Sequence, residues 1–183
     1  MPLDPSLRTF AFHKPAGVVT TMHDPQGRTD LTGFLPEGDR VFPVGRLDQG
    51  SEGLLLLTND GELANRLTHP RYGVEKEYLA EVEGTPGSKH LARLKAGVDL
   101  DDGPARAVRA TIAGQLKGRG QVRLVLTEGR KREVRRLLAA VDLPVVRLVR
   151  LRIGSVHIGD LGPGEFRELE PEEVRGLYAS AGR

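Results

Sequence analysis

Gly45-Arg46-Leu47-Asp48-Gln49-Gly50-Ser51-Glu52-Gly53-Leu54-Leu55-Leu56-Leu57-Thr58-Asn59-Asp60-Gly61 sets a carboxylate, Asp48, in a glycine-flanked turn directly before a wholly apolar run. Four consecutive leucines have no period of two, so they fit a strand covered on both faces, or else a buried helical segment. The run is short and bounded by Gly53 and Asn59, which favours the strand. Gly45, Gly50 and Gly53 let backbone pass close to another group. Arg46 falls two residues from Asp48, on the same side of an extended segment. An exposed Arg and Asp beside a buried strand are candidates for a site on a rigid base.

Working outward, residues 8–12 alternate as a strand does, and Lys14-Pro15-Ala16-Gly17 breaks them into a loop. The loop runs to Gly38, is rich in Gly, Pro, Asp and Thr, and is expected to be ordered by substrate. Residues 41–44 are a short extended piece. Asn59 or Asp60 caps a helix over residues 62–68, where Leu63 and Leu67 share one face before Pro70 stops it. Residues 77–82 read as a strand, and Pro86 opens a helix that carries Leu91, Leu94 and Lys95 up to Gly97. Residues 98–113 and 121–127 are further strands, joined by a Lys117-Gly118-Arg119-Gly120 hairpin turn. Over residues 131–141, Val134, Leu137, Leu138 and Val141 recur at helical spacing, with arginines on the opposite face. Residues 145–156 return as one long strand, and residues 171–179 fit a final helix. No repeat or low-complexity linker marks a boundary. Hairpin-length connections outnumber regular strand-helix alternation, so the class is α+β with a mixed, mainly antiparallel β-sheet. A single domain over residues 1–183 is expected, with two lobes about a central cleft as its finer division.

At 183 residues and 38% hydrophobic, the chain can bury a sizeable core. No apolar run approaches the roughly 20 residues of a membrane span, and Met1-Pro2-Leu3-Asp4-Pro5 lacks the regions of a signal peptide, so no membrane partner is expected and the cytoplasm is the default. Without cysteine there is no disulfide framework and no thiolate metal site, and any nucleophile must be oxygen or nitrogen. Neither HExxH nor clustered Asp and His suggests a metal. Ser51 lacks the G-x-S-x-G context of a hydrolase. Net charge is only +2, but residues 130–152 hold eight basic side chains (Arg130, Lys131, Arg132, Arg135, Arg136, Arg147, Arg150, Arg152) against Glu133 and Asp142. That distribution suits a polyanionic partner. Residues 165–173, with five glutamates and one arginine, form an acidic tail that does not.

Residues 45–70 fit GRLD-x-x-S/T-x-GLLLLT-x-DGELANRL-x-HP, and this resembles the signature of the RsuA-type pseudouridine synthases, which isomerise uridines in ribosomal RNA. His13-Lys14-Pro15-Ala16-Gly17 is similar to the family's KP-x-G motif, Glu75-Lys76-Glu77-Tyr78-Leu79 to its tyrosine motif, and Glu128-Gly129-Arg130-Lys131-Arg132-Glu133-Val134-Arg135-Arg136 to its arginine motif. The resemblance spans roughly residues 8–170. It implies a mixed, largely antiparallel sheet with a cleft across its middle. It also implies a member of the minority built of the catalytic domain alone, since the KP-x-G motif begins too early to leave room for an S4-type RNA-binding module. The nearest such type acts on large-subunit rRNA; small-subunit rRNA or a tRNA stays open as substrate, and so do free RNA, an assembly intermediate and a ribosomal subunit as its form. A monomer is the default.

By that resemblance Asp48 is the nucleophilic aspartate, Tyr78 the active-site tyrosine whose ring packs on the flipped base, and Arg135 the arginine that keeps the aspartate ionised and aimed. Alone, Asp48 would more often be a turn aspartate capping its own backbone, Tyr78 a core aromatic and Arg135 a surface cation. Arg46 is expected to contact backbone or assist base displacement, or to pair with Asp48. Lys14 is expected to support the site or meet phosphate, and Arg130, Lys131, Arg132, Arg136 and Arg150 to grip phosphates. Glu133, where the family often has glutamine, is placed to compete for the charge of Arg135. The reaction asks for no metal and no redox cofactor. The alternative is an RNA-binding or ribosome-assembly factor on the same fold without turnover, against which the presence of all three catalytic residues speaks.

Overall fold

A computed structural model describes residues 2–35, 38 and 40–182. Met1, Pro36, Glu37, Asp39 and Arg183 lie outside the described residues, so the loop expected up to Gly38 is followed except at Pro36 and Glu37. The chain divides into two compact units, Met1–Val74 with Arg150–Arg183, and Glu75–Val149.

The first unit opens with β1 (Thr9–Lys14), β2 (Phe42–Val44), β3 (Glu52–Thr58) and α1 (Gly61–Thr68). β3 is the leucine run, and its two faces are buried in different clusters. Leu54 and Leu56 pack with Ala11, Val44, Leu63 and Leu67, while Leu55 and Leu57 pack with Phe10, Phe12, Val18, Leu31 and Leu47. The strand reading therefore holds, because a strand sends alternate side chains to opposite faces and here both faces are covered. Each leucine is fully buried and contributes about 1.5–3 kcal/mol. β1 runs antiparallel along β3 from Thr9 opposite Thr58 to Lys14 opposite Gly53, and β2 pairs antiparallel with its last residues, Val44 lying opposite Leu56. Asp60 caps α1, accepting from the backbone N–H of Glu62 and Leu63. A 3₁₀ turn (Pro70–Tyr72) follows, ended by Gly73 in the left-handed conformation.

The β1–β2 connection, read from the sequence as a loop that substrate orders, makes bonds of its own. Val19 N–H donates to Thr29 O at 2.9 Å, Leu31 N–H to Thr21 O at 3.0 Å, and Val18, Val19, Thr20 and Leu31 are buried.

The second unit contains β4 (Lys76–Glu83), α2 (Ser88–Ala96), β5 (Val98–Leu100), β6 (Gly103–Ala105), β7 (Arg109–Leu116), β8 (Arg119–Leu126), α3 (Glu133–Ala140) and the first part of β9 (Val145–Ile153). β4 pairs with β8 and β8 with β7, both antiparallel, and β5 pairs with β6 as a separate hairpin. The expected strand over residues 98–113 is thus three strands, broken by Asp101-Asp102 and by residues 106–108. The β7–β8 hairpin turns on Lys117 and Gly118 alone, with φ of 50° and 77°, the two positive values that a two-residue turn of matching twist requires. Arg119 and Gly120, expected in the turn, belong to β8. Val134, Leu137, Leu138 and Val141 are all buried in this unit's core, with Ala80, Leu94, Val122 and Leu124.

The chain returns to the first unit in mid-strand, at Arg150 of β9, and continues through β10 (Val156–His157), β11 (Phe166–Glu168) and α4 (Pro171–Ser180). The expected long strand over residues 145–156 is instead a hairpin, since Gly154 and Ser155 form a turn and Val156 pairs back on Ile153. β11, in the acidic tail, pairs with β1, and Tyr178 of α4 donates its hydroxyl to Asp60 Oδ2 at 2.5 Å. No helix among the described residues is long and apolar enough to cross a membrane.

Gly53 has φ of +112°, and a Cβ placed on it would stand 2.3 Å from the carbonyl oxygen of Arg150 and 2.5 Å from its nitrogen. Gly27 has φ of +74° with nothing within 4 Å. Gly27→Ala should cost about 1–2 kcal/mol from backbone strain alone, and Gly53→Ala several times that, because backbone must move as well. Equal losses for the two in equilibrium denaturation would refute the packing argument.

Candidate active site

Asp48 stands between two residues that are fixed independently. Leu47 is buried, and the hydroxyl of Thr20 donates to its carbonyl at 2.6 Å while accepting from its N–H at 3.2 Å. The carbonyl of Gln49 accepts from Gly17 N–H at 2.7 Å and from the Lys14 ammonium at 3.2 Å. Ser51 N–H then closes the turn on Asp48 O at 2.9 Å, and Ser51 is itself buried. The half-buried Asp48 side chain is therefore presented on a backbone with little freedom. Such preorganisation is what a catalytic carboxylate needs.

Lys14 is the joint of this arrangement. At the end of β1 its side chain is fully buried, and Nζ donates to the carbonyls of Pro15 at 2.9 Å, Val18 at 2.7 Å and Gln49 at 3.2 Å. Burial lowers its pKa from 10.5 to about 8, opposed by the negative charges of Glu52 and Asp48. Of its two expected roles, the structure gives it support of the site; a buried ammonium saturated by three carbonyls does not reach a phosphate.

The other expected phosphate contacts divide. Arg150 is buried and donates Nε to Leu54 O at 2.8 Å, so it braces β3 and is not a surface grip. Arg130 is held by Asp102 at 3.0 Å, Glu128 at 3.1 Å and Glu133 at 3.2 Å, and donates to the carbonyls of Asp102 and Pro104. Arg136 takes both oxygens of the same Asp102, at 2.7 and 3.1 Å. These two arginines fasten the β5–β6 turn to the start of α3, which leaves little of their charge for a ligand. Glu133 spends its carboxylate on Arg130, and burial first, then the neighbouring Glu128, pushes its pKa up. Arg46, Lys131 and Arg132 are exposed. Tyr78 is buried on β4 within the core of its unit, and Arg135 is half-buried on α3. The structure thus brings Asp48, Lys14, Arg46 and Arg150 into the first unit, and Tyr78, Arg135 and the Arg130–Arg136 cluster into the second.

Sequence reasoning missed Thr20 and Asp102. Thr20 sits in the quoted KP-x-G neighbourhood without a pattern of its own. Asp102 carried a signal, an Asp-Asp-Gly turn facing a basic segment, that was absorbed into a supposed continuous strand.

A loop-held aspartate on a doubly covered strand, in an α+β fold, defines an enzyme class once set beside known proteins. The family described as RNA pseudouridylate synthase matches residues 8–140, and the chain belongs to it. An uncharacterized RNA pseudouridine synthase of Mycobacterium leprae is 47% identical over 98% of this chain and 72% of that protein. The ribosomal large subunit pseudouridine synthase B of Bacillus subtilis is 39% identical over 94% of this chain and 72% of its own length. A crystal structure of a pseudouridylate synthase superposes with a TM-score of 0.82 at 30% identity, covering 93% of this chain and 74% of that one. The chain is an RNA pseudouridine synthase of the RsuA type.

The buried ammonium gives a signed pH dependence. The unfolded chain keeps the Lys14 proton up to about 10.5, whereas the folded chain releases it near 8. Between these values unfolding takes up a proton, so this group's contribution to stability rises with pH. Denaturation of wild type and Lys14→Met at pH of about 7 and about 10 should show wild type gaining relative to the variant at the higher pH. A difference that is independent of pH would contradict the burial of a charged Lys14.

Proposed function

We propose that this chain converts a uridine of large-subunit ribosomal RNA to pseudouridine, with Asp48 as the acting carboxylate. The observation that carries this reading is the double pinning of the Asp48 turn through Thr20 and Lys14. The reaction breaks the C1′–N1 bond, turns the uracil and joins C5 to C1′; C5 gives up its proton, N1 gains one, and nothing is added or lost overall. A carboxylate assists by attacking the sugar or base, or by stabilising a glycal-like species. Both routes need it ionised and fixed, with the uridine out of its stack. Tyr78 and Arg135 take the roles their motifs assign, an aromatic ring for the base and a guanidinium for the carboxylate. Arg46, exposed two residues before Asp48, is suited to occupying the space the base vacates. Large-subunit rRNA is favoured by the name of the Bacillus subtilis relative.

Asp48→Asn keeps the shape and removes the charge. It should lower pseudouridine formation on rRNA by at least ~10³-fold with RNA affinity nearly unchanged. The check is pseudouridine mapping of total RNA from cells lacking the protein, complemented with each form. One rRNA site restored by wild type alone supports the reading. Equal restoration by both, or no site lost, would replace it with a non-catalytic RNA-binding factor.

A further inference from the structure

Several arginines of the first unit are held by carboxylates: Arg8 by Glu168, Arg28 by Asp24, Arg66 by Glu62, and Arg167 by Glu173. Arg46 and Arg71 differ. Both are exposed, and neither guanidinium makes a hydrogen bond or ion pair among the described residues. Arg71 is nonetheless placed. Its guanidinium lies 4.8 Å from the ring centre of Tyr72, and that ring also receives Arg66 at 5.7 Å and the edge of His69 at 6.3 Å. The backbone beneath is the 3₁₀ turn, where the N–H of Arg71 donates to His69 Nδ1 at 3.2 Å. Because Nδ1 accepts, the neutral His69 ring carries its hydrogen on Nε2, on an exposed side chain.

This cluster adjoins the Asp48 turn. A Cβ on Gly45 would stand 3.4 Å from the methyl group of Thr68, so the chain just before Arg46 passes close to the end of α1. Exposed Arg46, His69 and Arg71 therefore flank that approach as a short basic strip, Arg46 two residues before Asp48 and His69 and Arg71 at the end of α1. The two carboxylates at the start of α1 are already engaged, Glu62 with Arg66 and Asp60 with Tyr178 and the helix cap. A placed guanidinium without a carboxylate, next to a ring N–H donor, is suited to a phosphodiester.

We propose that Arg71, with His69 and Arg46, binds the RNA backbone beside the target uridine, so that the track leading to Asp48 runs over the end of α1. This rests on the reading of Asp48 as the residue that meets the uridine. The strip lies outside the basic segment of residues 130–152, whose Arg130 and Arg136 are neutralised by Asp102, Glu128 and Glu133.

The test is filter binding of an unmodified Bacillus subtilis large-subunit rRNA transcript across about 50–200 mM salt, with pseudouridine formation followed on the same RNA. Arg71→Gln should raise Kd roughly 3- to 10-fold and lower the slope of log Kd against log salt by about one ion. Arg71→Lys, which keeps the charge, should keep the slope. Lys89→Gln, on α2 in the other unit, should change neither. Wild-type slope in Arg71→Gln, or an equal loss in Lys89→Gln, overturns the proposal. If wild type binds but forms no pseudouridine while Arg71→Gln still loses an ion, the strip stands as an RNA contact and the activity assigned to Asp48 fails.

Discussion

Much of the geometry around Asp48 rests on one buried ammonium group bonded to three backbone carbonyls. Lys14 ends a strand inside the core, and its charge can stay there only if oxygen surrounds it. The backbone supplies that oxygen by curling back, so that Pro15, Val18 and Gln49 turn their carbonyls inward. The curl brings Gly17 onto Gln49 and Thr20 onto Leu47. A desolvation penalty at one residue thereby becomes the geometric definition of a turn more than thirty residues away in sequence. Removing the charge would relieve the penalty and undo the definition together, which is why stability and site geometry are opposed at this position.

The base for that turn is β3. With its alternate leucines in two clusters, the strand cannot slip by one residue without exchanging which side chains enter which cluster. Gly53 fixes it a second way, since only a residue without Cβ lets the backbone of Arg150 pass so near. Arg150 then returns its own side chain to Leu54 O. A basic residue in a cationic segment thus proves to be a brace, its Nε taken up by strand backbone while its buried Nη2 finds no partner among the described residues.

Much of this was legible beforehand, for reasons that can be named. The leucine run, the Asp60 cap and the Leu63–Leu67 face depend on local pattern, and so does the burial of Val134, Leu137, Leu138 and Val141. The catalytic roles expected of Asp48, Tyr78 and Arg135 rest on the resemblance of their motifs to those of the family. Strand ends were harder wherever a turn lacked its usual residues: Asp101-Asp102 breaks what reads as one strand, and Gly154-Ser155 folds another back on itself. β11 was hidden because its Phe166-Arg167-Glu168 is exposed and charged and pairs only through β1. The fate of the arginines was not legible at all. Whether a guanidinium is free depends on which acid tertiary structure brings to it, and Asp102 lies 28 residues from Arg130 and 34 from Arg136.

The division of the chain has a consequence for its birth on the ribosome. The second unit, Glu75–Val149, is continuous, whereas the first is assembled from both ends of the sequence. As synthesis proceeds from the amino end, Asp48 emerges before the second unit, yet the strand piece that braces Gly53 and the helix that reaches Asp60 are made after it. Until then β1 lacks β11 and β3 lacks Arg150. The central segment can close on its own core while the outer one waits. A truncated product would therefore carry the aspartate without the frame that aims it.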